Sequence, residues 1–533
     1  MNRVQYALAA FVQLATLAAT DAAGGLRPCD VARPLTRPEG APRPSDVIMR
    51  SLRLHPANAK DPHDTFAALQ TFHVTRLAWA YITDRKFIAR VRETGRVFGG
   101  AAAAPAYLPA ADSENWFEKV VIVDLKARPI IAPWKRTWKP TLWGCVNNPE
   151  LERGYMAYLK KYIDAGAQVM QRDEPTANLS ATQWGGCFCE HCVRAFRAWL
   201  KANVPAAALA KMGIGDVDRF DVREYFLAKG APAGDAFRQW KGGEIKKRFE
   251  AFQTEATTAF HRRTRKALDE YARRHVPMSC NNGARRWSKI EEGFDWVFGE
   301  LAFRHATPVY LDRLFAAART HAKVQVVTMP KKGDRKDLAG WQRRTRQTIA
   351  MTYALGGLCM VPWDVYMPHD APRYFGTAKQ YADLYGFVRG AARWLDGYEH
   401  AGTVGKGVTC DRYGQTGAAV TFPTGASAFA VLRAKPGQPD APVVVHVVDW
   451  SDRPAPITLR LDVRRLIGGE GAVRLLTPAE FDAARHARAE ATGDFAPLVR
   501  EQAVRIRADG TIALPQLAPW SMLIVTPAGK VGR

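Results

Sequence analysis

The sequence predicts a (β/α)8 barrel followed by a C-terminal antiparallel β-sandwich. Between residues 46 and 396, short apolar runs alternate with long helical patterns, which is typical of parallel β/α units. Beyond residue 397, the pattern changes to alternating apolar runs separated by Pro, Gly and Asp. The 533 residues exceed one ordinary core, and 47% of them are hydrophobic, so two folded domains are expected.

The N-terminus has the pattern of a signal peptide. Arg3 precedes an apolar run over residues 6–19, and small residues follow to position 23. A frayed amphipathic helix is the alternative. Residues 24–45 are rich in Pro, Gly and Arg and are predicted to form a linker. We expect the mature protein to be exported to the periplasm or the medium, without stable membrane insertion.

Eight runs are candidate barrel strands. They cover residues 47–54, 75–81, 97–103, 168–172, 277–280, 294–298, 323–328 and 358–362. Residues 118–143 also have an extended pattern, and we assign them to a long loop after the third strand. If they formed a barrel strand instead, the first candidate would drop out.

The region 397–533 is predicted to form the β-sandwich. Its clearest strand patterns are residues 442–448, 457–461 and 520–525. No long helical stripe dominates this part of the sequence.

Carboxyl groups follow three of the predicted barrel strands. Asp173 and Glu174 follow the fourth strand, Glu300 the sixth and Asp364 the eighth. Barrel enzymes carry their reactive groups at these strand ends. Such acids also cap helices or pair with Arg, so a purely structural role is the alternative.

Tryptophans accompany these acids, as expected for a sugar site, where a ring stacks on an apolar face and carboxylates meet its edge. The tryptophans are Trp184, Trp287, Trp296, Trp341 and Trp363. The predicted substrate contacts are Asp173, Asp364, Trp363, Trp184, Trp287, Arg172, Arg304 and Asn281.

Hydrolysis of a glycosidic bond needs one carboxyl group as proton donor and a second as nucleophile or base. We assign Glu174 as acid/base and Glu300 as nucleophile, with retention of configuration. Asp173 and Glu174 are neighbours, so only one of them can point straight into the barrel. Pro175 is expected to keep Glu174 out of the next helix, and Gly299 to allow a sharp turn before Glu300.

A cysteine-rich motif follows the fourth strand, and its central run is Gly185-Gly186-Cys187-Phe188-Cys189-Glu190-His191-Cys192-Val193-Arg194-Ala195-Phe196-Arg197-Ala198-Trp199-Leu200-Lys201. This motif resembles glycoside hydrolase family 42, the β-galactosidases. The similarity covers residues 143–201 and returns weakly over 347–364. The resemblance implies a barrel with Glu174 as acid/base. It also implies a zinc site completed by a cysteine before the fourth strand, here Cys145.

The sequence departs from that family at two positions. The family has a nucleophilic Glu after strand seven, whereas residues 327–332 here contain no acid. Asp173 replaces the family's Asn. We therefore assign the second carboxyl group to Glu300. Loss of the nucleophile is the competing interpretation.

Cys187, Cys189 and Cys192 are close enough in sequence to share a metal, and Cys145 is the expected fourth ligand. Four thiolates without an open position would form a structural zinc site. A disulfide, favoured by export, is the alternative. His191 is expected to be a solvated helix residue, and no organic cofactor is predicted.

The formal charge of +24 also suits a polyanion-binding surface protein. No zinc finger, basic zipper or aromatic RNA-binding pattern is present, so nucleic acid is not the expected partner. Several predicted active-face loops carry cations, which favours an anionic glycan. These cations are Lys135, Arg136, Arg172, Arg285, Arg286, Arg304, Lys331 and Lys332.

Three functional hypotheses follow. The first is a glycoside hydrolase acting on an oligo- or polysaccharide. The second is a catalytically silent barrel that only binds carbohydrate, and the third is the polyanion-binding surface protein.

Overall fold

A computed structural model describes residues 26–50, 65–103, 119–132, 142–284, 287–328, 337–362, 378–408, 419–515 and 519–529. The predicted signal peptide lies outside these residues. Within them, no helix is both long enough and apolar enough to cross a membrane.

The first domain is an eight-stranded parallel barrel. Its strands are β1 (Ile48–Arg50), β2 (Arg76–Ala80), β3 (Val97–Ala103), β4 (Val169–Asp173), β5 (Met278–Asn281), β6 (Trp296–Glu300), β7 (Val324–Thr328) and β8 (Leu358–Cys359). They follow one another in chain order around the sheet. A hydrogen bond of 2.8 Å from the Val361 amide to the Ile48 carbonyl connects the last strand to the first. The eight predicted strands are thus confirmed.

Helices surround the barrel, and a few more lie within the C-terminal domain. They are α1 (Pro28–Val31), α2 (Thr65–Thr71), α3 (Arg85–Glu93), α4 (Pro149–Asp164), α5 (Ala177–Thr182), α6 (Glu190–Asn203), α7 (Ala206–Lys211), α8 (Val222–Ala228), α9 (Gly243–Ala272), α10 (Pro308–Thr320), α11 (Leu338–Ala354), α12 (Ala378–Gly390), α13 (Val463–Ile467) and α14 (Ala483–Thr492).

The described part of the long segment between β3 and α4 lies outside the barrel sheet, as expected. Its described residues form isolated antiparallel bridges, including Val121 with Gly144 and Ile131 with Leu142. This excursion brings Trp143 and Cys145 beside α5 and the loop after it.

The C-terminal region forms two antiparallel sheets. The strands are β9 (Glu399–Val404), β10 (Val420–Thr421), β11 (Ala428–Ala434), β12 (Val443–Asp449), β13 (Ile457–Leu461), β14 (Gly471–Pro478), β15 (Val499–Ala503), β16 (Thr511–Leu514) and β17 (Trp520–Pro527). Six strands in the order β15-β14-β17-β12-β11-β9 face three in the order β10-β13-β16. The predicted fold class, a barrel with a β-sandwich, is correct.

The central strands of the six-stranded sheet are buried on both faces. Val445 and Leu523 belong to the sandwich core, whereas Val444 and Met522 belong to the barrel core. All seven residues of β12 are buried, because one side chain packs against the opposite sheet and the next against the barrel helices. The two domains therefore share a continuous apolar interface.

The linker assignment for residues 24–45 needs correction. The described part contains the short helix α1, and Cys29 lies in the sandwich core. Further on, Arg37 donates a 2.6 Å hydrogen bond to Glu399, and the Ser45 amide donates to Asp396 at 2.9 Å. The many prolines prevent regular structure here, but they do not prevent packing.

Arg433 connects the sandwich to the barrel. It lies on β11 with 0% of its surface exposed. Its guanidinium group donates to the carbonyl oxygens of Tyr353 at 3.3 Å, Leu395 at 3.0 Å and Tyr398 at 3.0 Å. Burial lowers the pKa of Arg433 to about 10, so the side chain stays protonated at neutral pH. One side chain thus donates to three carbonyls in barrel helix α11 and in the segment entering β9, and two of them, those of Tyr353 and Leu395, also accept a backbone amide.

Replacement of Arg433 by Met should destabilise both domains. The substitution removes hydrogen bonds from a charged donor, each worth about 1.5–3 kcal/mol, to three carbonyls, so we expect the free energy of unfolding to fall by about 3 kcal/mol or more. Arg460→Met, at an exposed position of β13, is the control and should change it by less than about 0.5 kcal/mol. Urea unfolding followed by fluorescence measures both, and equal midpoints for the two variants would contradict the assignment.

Candidate active site

A large cavity opens at the carboxyl ends of the barrel strands. Its volume is about 1320 Å³, which is larger than most small-molecule sites. The described residues that line it are Trp143, Glu174, Thr176, Ala177, Leu179, Ser180, Gln183, Asn281, Asn282, Gly283, Trp287, Ser288, Glu291, Glu300, Tyr310, Arg313, Leu314, Ala317 and His321.

The two predicted catalytic carboxyl groups line this one cavity. Glu174 is the first residue after β4, and Glu300 is the last residue of β6. The Glu300 side chain is 42% exposed, and the Arg50 guanidinium lies 3.9 Å from its carboxylate. Arg50 itself stacks over the Trp79 ring at 3.9 Å. A fixed positive charge therefore faces Glu300 from β1.

The Asp173 carboxylate accepts four hydrogen bonds from three strand ends. Tyr81 donates at 2.6 Å and the Trp79 indole at 3.3 Å to one oxygen. Asn281 donates at 3.0 Å and the Glu174 amide at 3.1 Å to the other. The carboxylate thus holds the ends of β2, β4 and β5 together. Asp173 points to the barrel interior, and Glu174 is left to line the cavity.

Glu174 adopts a left-handed backbone conformation with φ of 51°. The next residue, Pro175, presents its carbonyl oxygen to the His261 Nε2 atom at 2.7 Å. Because a carbonyl can only accept, Nε2 carries the proton. Burial, followed by the nearby Arg172 charge, lowers the pKa of His261 to about 3, so the ring is neutral. His261 on α9 therefore fixes the turn that directs the Glu174 side chain towards the cavity.

Left-handed backbone conformations occur at other residues near the cavity mouth as well. Trp79 on β2 has φ of 57°, and Ala284 after β5 has φ of 49°. Side chains other than glycine rarely adopt such angles, and they persist where surrounding contacts over-determine them. The Asp173 hydrogen bonds provide such contacts at Trp79 and Glu174.

Gly299 has a different role from the one expected. It does not adopt a positive φ. Instead, a Cβ atom at this position would lie 2.7 Å from Ala284. The residue is glycine because the loop after β5 passes directly over β6.

Arg172 and Trp184 are not placed to contact a substrate in the cavity, contrary to the sequence-based prediction. Arg172 is 0% exposed and stacks over Tyr155 of α4 at 4.8 Å, because alternate strand residues point outwards. Trp184 packs against the cysteine cluster, with Arg238 5.8 Å above its ring.

Only some of the other predicted substrate contacts line the cavity. Asn281 and Trp287 line the cavity, whereas Arg304 is exposed outside its lining. Trp296 begins β6 at the opposite end of the barrel, and Trp341 is buried against Phe303 at 4.0 Å. Positions outside the described residues are Trp363, Asp364, Lys135, Arg136, Arg285, Arg286, Lys331 and Lys332.

Sequence reasoning missed several lining residues. Glu291 is 3% exposed, and its carboxylate accepts a 2.7 Å hydrogen bond from the Ser288 amide. Burial raises the pKa of Glu291. The only local signal was the Ser-x-x-Glu spacing of a capping box, which indicates a helix start and not a site. Arg313 and His321 lie on or just after α10, where nothing in the sequence distinguishes them from other polar helix residues.

The four predicted metal ligands meet in one cluster. The sulfur atoms of Cys145, Cys187, Cys189 and Cys192 all lie within 4.8 Å of one another, and the four cysteines are free. The Cys145 and Cys192 sulfurs are 3.3 Å apart. His191 is outside the cluster and contacts Arg194 at 3.1 Å.

Side-chain amides surround these sulfur atoms. Asn147 donates to Cys192 at 3.2 Å, and Asn178 of α5 donates to Cys145 at 3.4 Å. Gln253 of α9 also approaches Cys192, at 3.5 Å. Donors directed at sulfur stabilise thiolates, which are the form that binds a metal.

No protein-family model matches the chain. Two curated α-agarases are similar to it. That of Alteromonas agarilytica is 26% identical over 268 residues, and that of Thalassotalea agarivorans is 25% identical over 275. The matches cover 46% and 47% of this chain but only 18% of each relative. The chain therefore corresponds to less than a fifth of their length.

Among solved structures, a cycloisomaltooligosaccharide glucanotransferase of Paenibacillus sp. is similar over most of the chain. The match covers 90% of this chain and 85% of that one, with a TM-score of 0.52 and 9% sequence identity. At this identity the similarity concerns the fold, and it agrees with a (β/α)8 barrel followed by a β-sandwich.

Proposed function

We propose that the protein is a glycoside hydrolase acting on a polysaccharide. The observation that carries the proposal is that Glu174 and Glu300, from the ends of β4 and β6, line one large cavity. Trp287, which is partly exposed, lines the same cavity and offers aromatic surface for sugar rings. The similarity to two α-agarases supports the same reaction class.

Each residue has a proposed role. Glu174 donates a proton to the glycosidic oxygen, and Glu300 attacks the anomeric carbon to form a glycosyl ester. Water then breaks the ester, with Glu174 accepting its proton, and the configuration is retained. The Arg50 charge suits a carboxylate that must be ionised to attack. Asp173, held by four donors, positions the cavity mouth and is the alternative nucleophile.

The relatives' name suggests agarose, a neutral galactan, as the first substrate to test. The described cavity lining contains the carboxyl groups of Glu174, Glu291 and Glu300 against the single guanidinium group of Arg313. This balance favours an uncharged chain over the anionic glycan predicted from the loop cations.

We further propose that the cysteine cluster binds one structural zinc ion. Zinc–sulfur bonds of about 2.3 Å in a tetrahedron place sulfur atoms roughly 3.8 Å apart, and the observed distances fit this spacing. The ion would anchor the wall formed by Trp143 and α5, without taking part in the reaction.

Export of the protein remains part of the proposal, and the pattern of residues 1–23 is what supports it.

Loss of either catalytic carboxyl group should abolish turnover. Glu174→Gln and Glu300→Gln keep the size of the side chain, so each should lower kcat on agarose by about 10²–10⁴-fold with an unchanged melting temperature. Glu270→Gln, an exposed position of α9, is the control and should keep full activity. Reducing-end assays measure these rates, and NMR of the first product should show retained configuration.

Two outcomes would contradict these assignments. Normal activity in Glu300→Gln, with none in a folded Asp173→Asn, would transfer the nucleophile to Asp173. Binding of glycans by the unmodified protein without any hydrolysis would favour the carbohydrate-binding barrel instead.

Substrate charge can be tested separately. We expect agarose to be cleaved at least as fast as a sulfated galactan, with little dependence on ionic strength, because three carboxyl groups line the cavity. Faster cleavage of the sulfated chain, falling steeply as salt is added, would instead support the anionic substrate predicted from the loop cations.

The zinc proposal predicts about one zinc ion per chain by elemental analysis. Cys145→Ser should lower both the metal content and the melting temperature, because the remaining three thiolates bind the ion less tightly. Cys359→Ser, a buried thiol of β8 outside the cluster, should retain the zinc. A metal-free protein with Cys145 in a disulfide would refute the site.

A further inference from the structure

The barrel lacks a helix between β5 and β6 in the part of the chain that is described. In an ideal barrel each strand is followed by a helix that covers the outside of the sheet. Here residues 282–284 and 287–295 contain only one short 3-10 turn, Glu291–Gly293. On the side of α10 that faces β5, the outer surface of the barrel is therefore not covered by a helix that follows β5 in the described residues.

The segment that replaces the helix is held by side chains from three elements. Tyr310 of α10 donates a 2.5 Å hydrogen bond to the Ala284 carbonyl. Arg265 of α9 donates to the Gly293 carbonyl at 2.8 Å, and Lys323 before β7 donates to the Glu292 carbonyl at 3.2 Å. These bonds hold the segment against the barrel, so the space beside α10 is a fixed groove.

This groove continues from the two carboxyl groups. The cavity lined by Glu174 and Glu300 also extends along one face of α10, whose lining residues recur every three or four positions. They are Tyr310, Arg313, Leu314, Ala317 and, just beyond the helix, His321. From Tyr310 to His321, a rise of 1.5 Å per residue gives a length of about 16 Å. Several sugar rings in a row fit that length.

The groove has the chemistry of a carbohydrate cleft. At its far end, Trp287 stacks on His321 with ring centres 4.6 Å apart and planes 16° from parallel. Arg313, midway along, is exposed and carries five donors that suit adjacent hydroxyl groups. Ala317 is small, so the floor beside it is open. Apolar ring faces with a few polar groups are what sugar chains require.

We propose that this lateral groove is a row of subsites for a polysaccharide chain, so that the enzyme cleaves within chains and not at a terminal sugar. The proposal rests on the glycosidase function proposed above. Arg313 and the Trp287–His321 pair bind sugar units several positions away from the bond that is cut.

The test uses agarose-derived oligosaccharides from tetrasaccharide to octasaccharide, with the intact enzyme. For the unmodified enzyme, kcat/KM should rise about tenfold or more across this series, because longer chains fill the groove. Ala317→Trp, which blocks the groove, and Arg313→Ala, at an exposed position, should each reduce that rise by several-fold. Thr320→Trp places the same residue on an exposed part of α10 outside the lining and should leave the rise unchanged.

The outcomes separate the two proposals. Hydrolysis with a kcat/KM that does not depend on chain length, or a rise that survives both groove substitutions, would overturn the subsite proposal alone. Release of only terminal sugars from end-labelled chains would overturn it as well. If no galactan is cleaved by the unmodified enzyme, the glycosidase proposal fails and the groove proposal fails with it.

Discussion

The geometry of the candidate site depends on the hydrogen bonds to the Asp173 carboxylate. A partly buried carboxylate must recover the hydrogen bonds that it loses with water, and here four donors from three strand ends replace them. Because Tyr81, Asn281 and Asp173 itself belong to different strands, satisfying one charge fixes the relative position of all three strand ends. The neighbouring Glu174 is then turned towards the cavity with a left-handed backbone.

Side chains from the surrounding helices support the position of Glu174. Neutral His261 holds the Pro175 carbonyl from α9, and Asn178 of α5 donates to the cysteine cluster. The helices that position the acid/base candidate thus also supply donors to the sulfur atoms. A metal in that cluster would stabilise the cavity wall from outside.

The sandwich extends the same rigid structure. The central strands of its larger sheet are buried on both faces. Arg433 of that sheet donates hydrogen bonds to carbonyls of the barrel helix α11 and of the segment entering β9. Beside α10, the described residues between β5 and β6 form no α-helix, which leaves a groove open. The chain therefore covers part of its barrel with a second domain and leaves another part available to ligands, which is the arrangement that the proposed cleavage within a polysaccharide needs.

The sequence by itself determined the fold class, the eight barrel strands and the four cysteines, because apolar periodicity and local spacing are encoded in neighbouring residues. It also placed Glu174 and Glu300 at strand ends. It could not decide that Arg172 points outwards while Asp173 points inwards, since a shift of one residue reverses the face of every side chain in a strand. Nor could it identify Arg313 and His321, because a helix face becomes a groove only when the neighbouring helix is absent, and that depends on contacts between distant parts of the chain.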